Sequence, residues 1–474
     1  MSDTNTSSMK EILERQKAGS IREPFPSAEQ RIERLDKSID LLLTHRDALC
    51  DAMRDDFGHR SPDVSLAFDV SGSIDALKHA KKHLRKWMRP EKRSPQFPLG
   101  LFGAKAVVRY QPKGVVGIIS PWNFPVNLAF SPLAGVLAAG NRAMIKPSEF
   151  TEKTSALMAE LIGQYYEEDE VAVVTGGPEI GAAFSELPFD HLVFTGATSV
   201  ARHVMRAAAE NLVPLTLELG GKSPVVVGVS ADIAKVALRT MTCKTLNAGQ
   251  ICLAPDYVLL PEGKQDEFVA AARAAVETMY PSGVTRSDDY TAVINERHRD
   301  RLQAYANDAR DKGAKIVELD AGESSADSPF RMPPALVLDP VDEMQVMQDE
   351  IFGPLLPVMA YSDIEEVIAY INARPRPLAV YYFGDDAAEQ DRILTETVSG
   401  GATINDVLFH IAQEDLPFGG IGPSGMGCYH GKDGFDEFSH RKAVYTQTRA
   451  DLLSVLRPPY GEKFRKLMES RLKH

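Results

Sequence analysis

Residues up to about Arg93 carry apolar side chains at helical spacing. In RIERLDKSIDLLL (31–43) and IDALKHAKKHLRKWM (74–88), apolar residues recur every three to four positions between charged ones. This period predicts amphipathic helices that act mainly as scaffold. The Pro- and Gly-rich stretch 89–104 then predicts a linker or crossing arm, and AKAVVRYQP after it predicts a strand.

From Gly114 onward the pattern changes to short apolar runs separated by helical segments. The first series contains VVGIIS, RAMIKP, VAVVTGG and HLVFTG, and the second runs from SPVVVG to LAVYYF. Such alternation is typical of right-handed βαβ units. It predicts an α/β protein with a doubly wound parallel-sheet domain and a second α/β domain. The segment KAVYTQT (442–448) predicts a late strand followed by a short charged tail.

Composition narrows the classes of partner. The 474 residues, of which 44% are hydrophobic and 25% charged, fit a packed globular protein of two or three domains. A formal net charge of −13 disfavours nucleic-acid and membrane-surface partners. The N-terminus lacks the apolar core of a secretory signal, and the chain has no run of 18 apolar residues. We therefore expect a cytoplasmic protein.

Cysteine usage also favours a reducing compartment. The four cysteines are too sparse for a disulfide framework or a paired-cysteine metal site. Cys252 ends NAGQIC, between a predicted helix and a strand, where Gly and polar neighbours favour a loop. A single cysteine is more often an inert buried residue, so this motif alone leaves both interpretations open.

Three further motifs carry polar groups at strand ends. Glu218 interrupts the strand-like run of LTLELGGKSP, where a carboxylate is able simply to cap a turn, although the diglycine permits a close approach. ISPWNFP places Asn123 in a rigid turn at a strand's carboxyl edge, where ligands bind in such sheets. FTGATSV offers helix N-terminal amides to a pyrophosphate, but it lacks the three-glycine dinucleotide fingerprint.

Together the motifs resemble those of the aldehyde dehydrogenase superfamily. The matching segments follow the family's order along nearly the whole chain: ISPWNFP, IKPSE, FTGATSV, LELGGKSP, NAGQIC, EIFGPLLPV and PFGGIGPSGMG. Seven ordered matches make chance a poor explanation. The segments APDYVL, NDVLFH and SGMGCYHGKDGFDEFSH further resemble the class 3 branch of this family.

The resemblance implies roles for particular residues. Cys252 would be the nucleophile, Glu218 the general base, and Asn123 an oxyanion donor beside the backbone amide of Cys252. The implied coenzyme-binding residues are Trp122 in the rigid turn, Lys146 and Glu149 at the adenosine ribose, Gly196 and Thr198 at the pyrophosphate, and Glu350 and Phe352 at the nicotinamide riboside. One position departs from the family pattern, because Ala201 stands where the pyrophosphate turn usually ends in glycine.

These roles agree with the chemistry of aldehyde oxidation. A thiolate attacks a carbonyl carbon near neutral pH, and the tetrahedral adduct then loses hydride to leave a thioester. A fixed amide stabilises the developing oxyanion, and a carboxylate activates the water that hydrolyses the thioester. We therefore expect NAD as cofactor, with NADP tolerated because Lys146 offsets the repulsion between Glu149 and a 2′-phosphate.

The implied organisation has three parts and a tail. Residues 1–91 and 112–218 would form the dinucleotide-binding domain, 219–404 the catalytic domain, 92–111 and 405–448 the bridging and oligomerisation segments, and 449–474 the C-terminal tail. Strand-like segments outside the main alternation, together with the dimeric habit of class 3 relatives, predict a homodimer.

The predicted substrate is a small-molecule aldehyde, apolar and aromatic. Phe124 and Phe409 would wall its slot, although both residue types also occur as plain core residues. No metal is expected, since His410 and His430 are isolated in the sequence.

Two other functions fit parts of the pattern. An acylating dehydrogenase of the same fold would pass the acyl group to coenzyme A, but the intact ELGG motif favours hydrolysis, because a thiol acceptor needs no base for water. A binding protein that reuses the fold without turnover would not need Cys252, Glu218 and Asn123 together.

Overall fold

The computed structural model describes residues 2–320, 330–449, 451 and 454–472 of the chain. Residues 321–329, which belong to the predicted catalytic domain, lie outside the described residues. So do Met1 and positions 450, 452, 453, 473 and 474, the last five of which belong to the predicted tail.

The N-terminal region is helical, as its apolar spacing predicts. Its helices are α1 (Ser2–Arg22), α2 (Ala28–Thr44), α3 (Arg46–Asp56), α4 (Pro62–Val64) and α5 (Gly72–Trp87), with a π-helical segment at Ser65–Ser71. Ser27 and Gln30 form a capping box at the start of α2. Helices α2 and α5 pack against each other and bury apolar residues such as Leu35 and Leu77.

Most of the later helices connect the strands of two large sheets. In chain order they are α6 (Asn127–Ala139), α7 (Glu152–Tyr165), α8 (Pro178–Ser185), α9 (Thr198–Ala209), α10 (Ile233–Thr245), α11 (Gln265–Met279), α12 (Glu296–Asp311), α13 (Gln345–Gln348), α14 (Ile364–Asn372), α15 (Ala387–Glu396), α16 (Gly431–Glu437) and α17 (Glu462–Arg471). The main apolar cluster runs from α2 and α5 through α6 to strands of both large sheets.

Most of the strands lie where the short apolar runs predict them. In chain order they are β1 (Glu91–Arg93), β2 (Lys105–Pro112), β3 (Val115–Ile119), β4 (Arg142–Lys146), β5 (Val171–Val173), β6 (His191–Thr195), β7 (Leu215–Glu218), β8 (Ser223–Val227), β9 (Pro255–Pro261), β10 (Lys315–Glu318), β11 (Ala335–Leu338), β12 (Leu355–Tyr361), β13 (Ala379–Phe383), β14 (Gly401–Ile404), β15 (Gly425–Met426) and β16 (Ser439–Thr446).

The first sheet has the order β15-β7-β6-β3-β4-β5, and strands β3 to β7 pair in parallel. Its central strands are buried on both faces, which explains their continuous apolar sequence. Strand β15 is a short addition that the sequence pattern did not predict. It pairs antiparallel with β7, so that Gly425 lies opposite Glu218.

The second sheet has the order β10-β11-β12-β9-β8-β13-β14. It is parallel except at one edge, where β10 runs antiparallel to β11. The alternating pattern gave no sign of this reversal. An antiparallel edge strand on an otherwise parallel sheet is common, because an edge strand has only one neighbour to satisfy.

The third sheet is small and antiparallel, with the order β1-β2-β16. Strand β16 pairs with β2 along its whole length, from Ser439 opposite Pro112 to Thr446 opposite Lys105. The predicted crossing arm is more ordered than a linker, because Glu91–Arg93 pairs with β2. The fold class is thus confirmed: two α/β units with parallel sheets and a small strand-containing arm.

Candidate active site

The chain between α10 and β9 carries Cys252. Just after α10, Asn247, Ala248 and Gly249 adopt left-handed conformations, with φ of 49°, 53° and 71°. L-residues with a Cβ rarely adopt this conformation, and such strain clusters at functional sites. A Cβ on Gly249 would lie 2.4 Å from the carbonyl oxygen of Gly353, so only glycine fits. The sharp turn places Cys252 in a loop, as the sequence predicts.

Gln250 fastens this loop from inside the protein. Its buried side chain donates from Nε2 to the carbonyl oxygens of Asn247 (2.9 Å) and Ala292 (3.1 Å). Its Oε1 accepts from the backbone amide of Ile294 at 3.0 Å. This role has no signal in the sequence, because nothing in NAGQIC distinguishes a buried glutamine from a solvated one.

Asn123 lies beside the same loop. It follows β3, and its side chain is buried, with Nδ2 donating to the carbonyl oxygen of Gln250 at 3.1 Å. Its own backbone carbonyl accepts from Nδ2 of Asn247 at 3.1 Å. The Asn123 amide is therefore hydrogen-bonded to the backbone carbonyl two residues before Cys252.

Glu218 ends β7 and is 2% exposed. Both carboxylate oxygens lack a hydrogen-bond partner among the described residues. Burial raises the pKa of Glu218 well above the ordinary range of a carboxyl group. A carboxyl group of this kind gains a proton readily and is a strong base once ionised.

The environment of Cys252 disfavours the thiolate. Burial raises the pKa of the thiol first, and the negative charges of Glu218 and Glu350 raise it further. The neutral thiol of Cys252 is therefore favoured over the thiolate before substrate attack. The sequence did not reveal that two carboxylates act on the same sulfur, and it follows that the thiol must lose its proton during the reaction.

Glu350 explains the diglycine of LELGG. A Cβ on Gly220 would lie 2.2 Å from both carboxylate oxygens of Glu350, so the glycine makes room for this carboxylate. The backbone amide of Gly221 hydrogen-bonds to the carboxylate. Burial, followed by the charge of Asp256, raises the pKa of Glu350 to about 8. Its Oε1 has no partner among the described residues.

Trp122 and Phe352 meet in an aromatic cluster. Their ring centroids are 5.4 Å apart with an edge-on geometry, and Phe57 lies 6.1 Å from Trp122. His298, which the sequence analysis did not single out, lies 5.1 Å from Trp122. Burial lowers the pKa of this histidine to about 4, so the ring is neutral. The cluster forms an apolar wall beside Glu350.

Lys146 and Glu149 lie together after β4. Nζ of the buried Lys146 is 3.2 Å from Oε2 of the exposed Glu149 and also donates to the carbonyl oxygen of Pro147. Gly196 and Thr198 lie in the turn from β6 to α9, where Thr198 donates to the carbonyl oxygen of Pro423 at 3.1 Å.

Ala201 is buried on the inner face of α9, within the apolar cluster that contains Phe194 and Leu217. Its methyl group therefore faces the core. The alanine in place of the family's glycine therefore adds packing area in the core, and its methyl group does not cover the start of α9.

Tyr429 is a second residue that sequence reasoning missed. It is 2% exposed, and the charges of Glu218 and Cys252 add to the effect of burial in raising its pKa. The phenol therefore belongs to the same group of side chains. Its position two residues after Gly427, in a segment assigned only to bridging, gave no signal of this role.

Comparisons with known proteins identify the family of this chain. A sequence profile described as the aldehyde dehydrogenase family matches residues 16–444, and the chain belongs to that family. A relative from Caulobacter vibrioides named "Probable coniferyl aldehyde dehydrogenase" is 59% identical over 477 residues, covering 100% of this chain and 98% of the relative. The family predicted from the motifs is thus confirmed.

Solved structures show the same likeness. The substrate-bound state of Staphylococcus aureus AldH has a TM-score of 0.91 at 36% identity, covering 98% of this chain and 99% of that one. Mycobacterium tuberculosis aldehyde dehydrogenase complexed with NAD+ has a TM-score of 0.82 at 29% identity, covering 93% of this chain and 90% of that one. No described helix is long and apolar enough to cross a membrane.

Proposed function

We propose that this member of the aldehyde dehydrogenase family oxidises an apolar, aromatic aldehyde to the carboxylic acid with NAD. The observation that carries the proposal is the joining of Cys252, Asn123 and Glu218 in one buried site. The name of the Caulobacter relative supports an aromatic substrate.

In the first half-reaction, the Cys252 thiol gives its proton to solvent water and its sulfur bonds to the aldehyde carbon. The carbonyl oxygen gains the electron pair and is held by the side-chain amide of Asn123 and the backbone amide of Cys252. When bound, NAD supplies the acceptor for the hydride that leaves the substrate carbon. The acyl group then remains on the sulfur of Cys252 as a thioester.

In the second half-reaction, ionised Glu218 takes a proton from water. The water oxygen bonds to the thioester carbon, the carbon–sulfur bond breaks, and the acid leaves. The burial that raises the pKa of Glu218 also strengthens it as a base. The absence of a partner on either oxygen, within the described part of the chain, leaves Glu218 free to bind this water.

The residues present fit a nicotinamide dinucleotide. The unpartnered Oε1 of Glu350 is able to accept a hydrogen bond from a ribose hydroxyl. Phe352 and Trp122 supply an apolar wall for the nicotinamide. We propose Gly196 and Thr198, at the start of α9, for the pyrophosphate.

Cofactor choice depends on Lys146 and Glu149, which we propose for the adenosine ribose. Glu149 disfavours the 2′-phosphate of NADP, while Lys146, 3.2 Å away, offsets that repulsion. NAD is therefore preferred and NADP tolerated. A measured preference for NADP above about 100-fold would contradict this balance.

Substrate choice is proposed to rest on the aromatic side of the site. The ring of Phe124, next to Asn123, is half-buried and lies 6.5 Å from that of Phe68. Phe409 is 59% exposed, so it fits the rim of an entrance better than a closed slot. Aromatic stacking here is worth about 0.5–1.5 kcal/mol.

The deciding experiment supplies NAD with cinnamaldehydes, short aliphatic aldehydes and charged aldehydes, with and without coenzyme A. We expect the highest kcat/KM for cinnamaldehydes and a free acid as product. Higher efficiency with short or charged aldehydes would overturn the substrate class. Formation of acyl-CoA would favour the acylating alternative.

We also propose a homodimer, built through the small antiparallel sheet. Its neighbouring segment exposes Phe97 (79%), Leu101 (76%) and Phe102 (57%), an apolar group that a second subunit would cover. Sedimentation at micromolar concentration showing only 52.0 kDa monomers would refute this.

We also propose the domain division and the cytoplasmic location that the sequence predicts. The two large sheets support the division near residue 218, since β7 ends the parallel strands of the first and β8 begins the second. All four cysteines are free thiols, which suits a reducing compartment.

A further inference from the structure

Arg60 is a buried guanidinium outside every motif singled out in the sequence. It is 0% exposed and donates from Nη2 to Oδ2 of Asp69 at 2.6 Å, and Asp69 is equally buried. Its Nη1 donates to the backbone carbonyl of Asn123 at 2.7 Å, and its Nε to Oγ of Ser65 at 3.2 Å. One arginine thus joins the π-helical segment to the residue proposed as oxyanion donor.

Asp69 holds the other end of the same turn. Its Oδ1 accepts from the backbone amides of Val126 and Asn127, each at 3.1 Å. Arg60 and Asp69 therefore bind both the beginning and the end of the segment from Asn123 to Asn127. The π-helical turn that carries Asp69 is an uncommon conformation that is frequent at functional sites.

The guanidinium of Arg60 also lies between two aromatic rings. It is 4.7 Å from the ring centroid of Phe57 and 5.0 Å from that of Phe124. Phe57 contacts Trp122, and Phe124 follows Asn123. Arg60 thus contacts Phe124 directly and Trp122 through Phe57, in addition to the carbonyl group of Asn123.

A buried ion pair of this kind is weak support for stability, because desolvation offsets much of the attraction. The position in which the pair holds the turn around Asn123 is a better reason for its presence. A displacement of about 1 Å in a catalytic group lowers rates by about 10²-fold, so a buried guanidinium that holds the backbone carbonyl of Asn123 has a direct use.

We propose that Arg60 and Asp69 are positioning residues that hold the amide of Asn123 where the oxyanion forms. This inference rests on the proposed function of Asn123. Under this proposal neither Arg60 nor Asp69 contacts the substrate. Both act through the backbone of the turn from Asn123 to Asn127.

The test is a double-mutant cycle read by the burst of reduced cofactor in a single turnover. Arg60→Lys keeps a positive charge beside Asp69, but its donors all leave a single nitrogen, so they cannot reproduce the wide planar fork with which Arg60 reaches Asn123, Ser65 and Asp69. We expect it to slow the burst by about 10- to 100-fold in the parent enzyme. In an Asn123→Ala background it should change the burst less than about twofold, since no amide remains to be placed.

Arg31→Lys is the matched control. Arg31 is also buried, at 1% exposure, and donates to the backbone carbonyls of Pro26 and Ala138, away from Asn123. It should lower the Tm as Arg60→Lys does, while leaving the burst rate of the folded enzyme unchanged. If Arg60→Lys folds poorly, Asp69→Asn, which replaces the acceptor for Arg60, is read in the same way.

Three results would overturn the proposal. Arg60→Lys with the burst rate of Arg31→Lys would show that Arg60 is only structural. Equal slowing in the Asn123→Ala background would show that Arg60 acts by another route. A full burst rate in Asn123→Ala alone would remove Asn123 from the mechanism, and that failure of the proposed function is visible before Arg60 is changed.

Discussion

The two sides of Cys252 differ in how their polar atoms are satisfied. On the amide side, formed by Asn123 and Gln250, Nδ2 of Asn123 and both polar atoms of Gln250 have hydrogen-bond partners at 2.9–3.1 Å. On the carboxylate side, formed by Glu218 and Glu350, three of the four carboxylate oxygens lack a partner among the described residues.

This difference separates two kinds of catalytic group. A satisfied amide is held in one geometry before substrate arrives, which suits an oxyanion donor. A buried carboxylate without partners is costly, and its proton moves easily because its pKa is raised. The amide side is therefore fixed in place, while the carboxylate side responds to protons, water and coenzyme.

The largest predicted effect removes the sulfur between the two sides. Cys252→Ser should lower dehydrogenase activity by about 10³-fold or more, because a hydroxyl is a far weaker nucleophile than a thiolate. A steady-state assay of reduced cofactor measures this. Cys50→Ser, Cys243→Ser and Cys428→Ser are the controls and should keep most activity. Full activity of Cys252→Ser would refute the mechanism.

The second prediction concerns the carboxylate side alone. Glu218→Gln should slow steady turnover by about 10²- to 10⁴-fold, because only hydrolysis needs a base for water. Enzyme at high concentration, mixed with aldehyde and NAD, should give a burst of at most one equivalent of reduced cofactor, and its intact mass should rise by the acyl group. Turnover at the parent rate would remove Glu218 from the reaction.

A pH profile sharpens this result. Since the pKa of Glu218 is raised, its ionised fraction is small at low pH and grows with pH until the pKa is passed. Thioester hydrolysis in the parent enzyme should therefore rise by up to about tenfold per pH unit and then level off. In Glu218→Gln the slow hydrolysis should lack this rise, and an unchanged profile would assign it to another group.

The third prediction concerns the amide side. Asn123→Ala should lower the burst rate by about 10²- to 10³-fold, the cost of a lost oxyanion donor. Asn141→Ala is the control, because Asn141 is equally buried and donates to the backbone carbonyls of Val136 and Phe438. It should leave the burst of the folded enzyme unchanged. A burst in Asn123→Ala as fast as in this control would show that the amide is dispensable.

The smallest predicted effect concerns how much each side contributes to the stability of the protein. Gln250→Leu leaves the backbone carbonyl of Ala292 and the backbone amide of Ile294 without this partner and should destabilise the protein by about 1–3 kcal/mol. Glu218→Leu removes two oxygens that have no partner and should stabilise it by about 1 kcal/mol. Scanning calorimetry should show the two Tm values moving in opposite directions. A similar fall in both Tm values would mean that the oxygens of Glu218 have stabilising hydrogen-bond partners.

Local patterns predicted much of this molecule because they depend on near neighbours. The strand and helix alternation, the loop at Cys252 and the strand end at Glu218 all follow from residues close in sequence. The antiparallel edge strand β10 and the short strand β15 depend on which distant segment lies beside them, so no local pattern revealed either.

The electrostatics of the site were less predictable for the same reason. The raised pKa of Cys252 comes from burial and from Glu218 and Glu350, which are distant in the chain. Arg60 and Tyr429 act through contacts with segments far from their own sequence. Side chains that hold others in place have no motif of their own, whereas those that carry the chemistry stand in the motifs that resemble the family.

The pairing of Gly425 with Glu218 has a consequence for the order in which the enzyme is made. A chain leaves the ribosome from its N-terminus, so the sulfur and the base are synthesised long before β15. The backbone amide of Leu219, next to Glu218, finds its acceptor only on Ser424. Until that late segment emerges, the strand of Glu218 keeps an open edge, and the nascent chain lacks a finished site. Competence thus arrives only after β15 has been synthesised and has paired with the strand of Glu218.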